Sequence, residues 1–202
     1  YTFDVEATVT DVNGETEVGS YSVTVGDISM MLNIEMPGQL EKSSAEKIVV
    51  SAKNLDASDV KASGRYQVFS LLENDSINTQ VLQGSFETGE QTGLKSELKA
   101  LPSGKYRIRL QSKDDRENEV SSEKDFILFD YSDKRPPVKT NEWFVVKSGV
   151  FATGKNAEII LGTVDNINVL YELWREDTLL ERKWIKINKE NRLFSIPYKA
   201  EY

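Results

Sequence analysis

Apolar and polar residues alternate from the first position of this chain. Tyr1, Phe3, Val5, Ala7 and Val9 fall on one face of an extended segment, and Thr2, Asp4, Glu6 and Thr8 fall on the other. That period of two predicts a half-buried strand. Asp11-Val12-Asn13-Gly14-Glu15 supplies a turn, with Asn13-Gly14 suited to positive φ. Residues 17–25 read as the return strand, broken by Gly26-Asp27. The same two-run pattern returns roughly a hundred residues later. Tyr106, Ile108 and Leu110 echo Tyr1, Phe3 and Val5, Asp115 echoes Asp11, Glu119-Val120 echoes Glu17-Val18, and Phe126 to Leu128 echoes the return strand. A hairpin recurring at domain spacing predicts tandem copies of one β module, with the chain starting near the end of a copy. It reads as an excised piece of a longer protein.

Between the two hairpins, Ile28, Met30, Leu32, Ile34 and Met36 alternate until Pro37-Gly38, and a polar stretch runs to Lys47. Residues 48–52, 66–72 and 81–86 are β-prone, with a loop or weak strand over 54–64. Leu94, Leu98 and Leu101 have i, i+4, i+7 spacing, which predicts a short helix ended by Pro102-Ser103-Gly104. Lys134-Arg135-Pro136-Pro137 reads as a linker, because two prolines disfavour helix and central strand alike. Beyond it, Trp143–Val146 is a strand, 157–162 echoes 45–51, 169–177 echoes 66–75, and two further strands cover 180–187 and 193–196.

About ten short strands with little helix predict an all-β chain of tandem seven-stranded immunoglobulin-like sandwiches, one complete and two partial. The expected layout is a closing hairpin over 1–27, a complete sandwich over 28–131, a Pro-rich linker over 132–139, and the opening strands of a third module over 140–202. Each partial module alone would expose an apolar face and unpaired edges. They are therefore expected to complement each other, within one chain or between two.

Charge narrows the partners. The 202 residues carry 25 Lys and Arg against 33 Asp and Glu, a net charge of −8, which argues against nucleic acid or an anionic membrane. There is no His and no Cys, so disulfides, thiolate chemistry, zinc fingers and His-based acid–base catalysis are excluded for this segment. No apolar run approaches the roughly 18 residues of a membrane span.

Several short patterns imitate chemistry. Ser44-x-x-Lys47, Ser76-x-Asn78 and Lys147-Ser148-Gly149 follow the order of the penicillin-binding-protein motifs. Those enzymes hold the nucleophile on a buried helix, whereas Ser44 lies in a polar loop and Lys147 in the next module. Asp11-x-Asn13-Gly14-Glu15 resembles the start of a calcium loop without its distal ligands. The acidic pairs Glu87/Glu90, Asp114/Asp115 and Glu172/Glu176 read as solvated faces or turns rather than a glycosidase dyad. Trp143, Trp174 and Trp184 all follow the linker, as core residues or as a sugar-stacking platform. Asn74-Asp75-Ser76 is a nominal glycosylation sequon at a turn. No catalytic, cofactor or metal residue emerges, and an enzyme is not expected.

Three phrases carry a family resemblance: Val9 to Thr16 before a closing strand, Leu101 to Leu110 leading to Lys124–Leu128, and Arg135-Pro136-Pro137 before Trp143 and Tyr171-Glu172-Leu173-Trp174. Together they resemble macroglobulin-like domains from the N-terminal half of bacterial alpha-2-macroglobulins of the gut-anaerobe type. The resemblance implies a non-catalytic scaffold segment in an exported periplasmic or cell-envelope protein, secreted or membrane-anchored, whose full-length form traps host or competitor proteases. Its partners would be the other domains of the parent and, through the open half-domains, another copy. Many members carry a Cys-x-Glu-Gln thioester, which a segment without Cys cannot hold. No functional residue is carried over and no cofactor is implied. A carbohydrate-binding or adhesion module, and an accessory domain of a periplasmic enzyme, are the alternatives.

Overall fold

Turn chemistry, rather than strand content alone, divides this chain. The computed structural model describes residues 1–44, 46–147 and 156–197, with fifteen strands and one helix among them. Two strands, β1 (Thr2–Thr10) and β2 (Thr16–Thr24), pair among the described residues only with each other. The middle unit holds β3 (Met30–Glu35), β4 (Gln39–Glu41), β5 (Val49–Asn54), β6 (Ser63–Leu71), β7 (Ile77–Glu87), β8 (Gly89–Glu90), helix α1 (Thr92–Lys99), β9 (Gly104–Lys113) and β10 (Glu119–Phe129). After the prolines come β11 (Trp143–Val146), β12 (Asn156–Gly162), β13 (Asn166–Arg175), β14 (Thr178–Asn188) and β15 (Asn191–Pro197).

The middle unit is a sandwich of a five-stranded sheet, β4-β10-β9-β6-β7, over a three-stranded sheet, β3-β5-β8. Strict alternation puts Met30, Leu32 and Ile34 inward from β3. Pro37-Gly38 then ends that ladder, and the chain crosses to the other sheet. There β4 pairs in parallel with β10, Leu40 opposite Leu128. Counting β3 and β4 as two halves of one broken strand gives seven. The expected polar stretch up to Lys47 contains β4, whose Leu40 is buried. Two backbone approaches need glycine. A Cβ on Gly64 would collide with the Gln111 carbonyl across β6 and β9, and one on Gly84 would meet the ring of Tyr66 at 2.6 Å. Helix α1 forms as its leucine spacing predicts, with Leu94 and Leu98 turned into the core. The Tyr66 hydroxyl donates to Glu97 at 2.6 Å, fastening the helix to β6.

The third unit repeats the first half of this plan. Its sheet β11-β12-β15 matches β3-β5-β8 in order, and the β13–β14 hairpin matches β6–β7. Both hairpins carry a bulge at the corresponding place, between Val68 and Phe69 and between Leu173 and Trp174. Two cores result. One joins β3 through β10 with α1, and the other gathers Phe129, Trp143, Val145 and Ile160.

The first hairpin corrects two expectations. Its strands are exposed up to the half-buried Thr24 rather than half-buried along one face, because among the described residues no second sheet covers them. Ile28 is likewise exposed, at 46%. Among the described residues the two partial modules do not pair within the chain, since β1–β2 and β13–β14 form separate sheets.

Candidate interaction surfaces

The motifs that imitate catalysis are dispersed, each held by local contacts. The Ser44 hydroxyl accepts the Glu46 amide at 3.0 Å, and Lys47 pairs with Glu90 at 2.7 Å. Ser76 donates to Asn74 at 2.7 Å, closing the turn that contains the sequon. Lys147 pairs with Glu158 at 2.7 Å and sits over the Tyr131 ring, while Ser148 and Gly149 lie outside the described residues. No group of three or more potential metal-ligating side chains occurs among the described residues.

The calcium-like segment is a hairpin turn. Asp11 accepts the amides of Asn13 and Glu15 at 2.8 and 2.9 Å, and Gly14 has φ of 84°. The hydrogen bond from Glu15 holds the Asp11 carboxyl below the usual carboxylate range. An equivalent turn closes β9–β10. There Asp114 accepts the amides of Arg116 and Asn118 at 2.9 and 2.8 Å, and Glu117 has φ of 64°. Asp114 also takes the Ser29 amide at 3.0 Å and hydroxyl at 3.1 Å, and the Asn118 side-chain amide at 3.1 Å. These donors, the Ser29 amide first, hold its carboxyl far below the usual range. The segment entering the middle sandwich is thereby latched to the far hairpin.

These turns fix the repeat in register. Asp11 corresponds to Asp114, not Asp115, and Thr10–Thr16 corresponds to Lys113–Glu119. Carried along the ladders, Phe3, Val5, Val23 and Val25 occupy the places of Tyr106, Ile108, Phe126 and Leu128. In β9–β10 those four are core residues; in β1–β2 their counterparts are 58%, 54%, 38% and 48% exposed. The sequence echo found the hairpin but slid both strands out of step, by two residues where Tyr1 imitates Tyr106 and by one where Glu17 imitates Glu119.

A second exposed surface lies on β13–β14. Leu170 stands opposite Trp184, which is 71% exposed. Nearby, Glu172 accepts from Arg182 at 2.7 Å and from the Trp174 indole at 3.0 Å. Trp143 behaves differently. It is buried, edge-on to Phe129 with ring centroids 5.3 Å apart.

No protein-family model matches the sequence, nor does any curated protein. Two solved structures are similar at low identity. One is native-conformation E. coli alpha-2-macroglobulin, at 14% identity and TM-score 0.33, covering 95% of this chain and 16% of that one. The other is a tetra-tandem repeat from the extending region of a large adhesion protein, at 12% identity and TM-score 0.27, covering 99% of this chain and 49% of that one. The chain thus spans well under two thirds of either.

One side chain at the junction left no mark in the sequence. Asn191 donates through its backbone to Lys134 at 2.8 Å, and through its side-chain amide to Asp133 and Arg135 at 3.0 and 2.9 Å. It ties β15 to the linker carbonyls, which Pro136 and Pro137 leave short of local donors. A lone Asn in a polar segment carries no pattern that would reveal this. Asp114 was more accessible to inference, since an Asp four residues before Asn118 across a predicted turn is the chemistry of an Asx-closed loop.

Proposed function

We propose that this segment is a non-catalytic scaffold of an alpha-2-macroglobulin-like broad-spectrum protease inhibitor exported to the periplasm or cell envelope. The observation that carries the reading is the joint between successive sandwiches. Phe129 at the end of β10 packs on both Tyr131 and Trp143, and Asn191 of β15 donates to the linker carbonyls of Asp133 and Arg135. Lys139 of the linker pairs with Glu73 of the β6–β7 turn at 3.3 Å. A chain of modules fastened in this way transmits position from one to the next, which a protease trap requires of its frame. The macroglobulin-like phrases of the sequence supply the family. The test is a trapping assay on the full-length protein that carries the segment. After mixing with trypsin, cleavage of a small peptide should survive while cleavage of a large protein falls. Equal activity on both, with no nick at a single site, sinks the proposal.

A second reading has its own observation. Trp184, Leu170 and Trp174 offer an exposed apolar surface beside polar groups, the arrangement on which sugar rings stack. An adhesion or carbohydrate-binding module would show Trp fluorescence changes on titration with oligosaccharides. Trp184→Ala would abolish them.

A further inference from the structure

We propose that Asn74 is an acceptor for N-linked glycosylation. In the whole sequence, Asn74 alone is followed two residues on by Ser or Thr with no proline between. The modification belongs to exported proteins, so it rests on the export, though not on the trapping, in the function proposed above.

The fold sets this tripeptide at the tip of the β6–β7 hairpin. The Asp75 amide donates to the Leu72 carbonyl at 3.0 Å, and the Leu72 amide donates to the Ser76 carbonyl at 2.9 Å. Asp75 takes a left-handed φ of 65° to close the turn. Residues Leu72 to Ser76 are all exposed. Two ion pairs brace the tip, Asp75 with Lys105 of β9 and Glu73 with Lys139 of the linker.

Within the turn, the reacting side chain is already folded onto its hydroxyl. Asn74 Oδ1 accepts the Ser76 amide at 3.2 Å and the Ser76 hydroxyl at 2.7 Å. The carbonyl oxygen has two lone pairs and both are used, while Nδ2, the atom that glycosylation modifies, takes no part in the turn. Donation to the carbonyl oxygen draws electron density from Nδ2 and makes its proton easier to remove. Asn54 is the contrast. Its Oδ1 accepts the amides of Asp56 and Ser58 at 3.1 and 2.9 Å, in a loop of the same kind. The residue two places on is Asp56, which offers no hydroxyl.

The transfer balances without redox chemistry. The donor is an oligosaccharide linked through its C1 to a polyprenyl diphosphate. The bond from C1 to Nδ2 forms as the bond from C1 to the diphosphate oxygen breaks. The lipid diphosphate leaves with the electron pair, and a base of the transferase takes the amide proton. A glycan at this tip lies beside the joint between modules. A groove of about 800 Å³ there is lined by Leu72, Glu73, Lys105, Pro136 and Val138.

The test starts with the purified 202-residue chain. It is incubated with a single-subunit oligosaccharyltransferase and a polyprenyl-diphosphate oligosaccharide of known mass. The chain should gain the mass of one oligosaccharide, on the peptide that contains Asn74. Asn74→Gln and Ser76→Ala should lose that gain and Ser76→Thr should keep it, with hydrogen-exchange protection in β6 and β7 equal to the parent's. The same peptide, from protein recovered from the cells that make it, should carry a glycan at Asn74. No transfer in vitro overturns the proposal through the turn itself, as does transfer that persists in Asn74→Gln. Transfer in vitro with an unmodified Asn74 in the cellular protein overturns it through the export on which it rests. None of these outcomes moves the trapping assay, and failure of that assay would leave the acceptor in place.

Discussion

Replacing Trp143 with alanine separates the two cores energetically. The side chain is 3% exposed and fills the small cluster with Phe129, Val145 and Ile160. A buried Trp removes on the order of 200 Å² from water, which at ~25 cal/mol per Å² is ~5 kcal/mol. Measured Trp-to-Ala losses in cores run about 3–5 kcal/mol. A unit of this size holds roughly 3–9 kcal/mol in total, so the substitution consumes most of it. None of the buried residues of the middle core belongs to the third unit. Hydrogen exchange read by mass spectrometry resolves the two. Amides in β11, β12 and β15 should exchange about a hundred- to several-thousand-fold faster, at ~1.4 kcal/mol per tenfold. Those in β5, β6 and β9 should keep their protection. Equal acceleration in both sets would mean one cooperative unit and would refute the separation; no acceleration in either would refute the burial argument.

Three other outcomes follow from single contacts. Leu98→Ala, at a fully buried position of α1, should cost about 2–5 kcal/mol in urea unfolding of the middle sandwich. Asp114 has a folded pKa depressed below its unfolded value, so its stabilisation is present above about pH 4 and is lost as the pH falls. Urea midpoints of Asp114→Asn should therefore lie below those of the parent at pH 7 and converge with them in strong acid; a constant gap would remove the carboxylate from the account. The Tyr66 phenol, pushed up to about 12 by burial and then by Glu97, favours the folded state while protonated. That preference is lost as pH rises from about 10, and Tyr66→Phe should remove the highest step from the ultraviolet titration of folded protein.

How much of this was readable beforehand varied with the length of the signal. The alternation of β3, the leucine spacing of α1 and the β9–β10 hairpin extend over many residues, and each appears where it was expected. Strands β4 and β8 are three and two residues long, too short for any period, and exist because neighbouring strands offer them partners. The burial of β1–β2 was misjudged for a related reason. Alternation in Tyr1, Phe3 and Val5 reports which face is suited to a core, and only a second sheet decides whether a core is there. Trp143 and Trp184 show the same limit, since nothing local distinguishes the buried indole from the exposed one. The repeat was found without its register because aromatic identity outweighed turn position. Asp11 and Asp114, which set the register, become equivalent only when their amide partners are seen.

The parallel pairing of β4 with β10 has a mechanical consequence. The short strand β4 lies early in the middle unit and the last residues of β10 lie at its end along the chain, with Gln39 to Glu41 beside Ile127 to Phe129. Tension applied through the flanking modules pulls them in opposite directions along their length. The backbone bonds between them are then loaded together in shear, rather than broken one at a time as in an unzipping hairpin. A three-residue clamp of this geometry places the module's resistance to force at the point where the neighbouring module is attached.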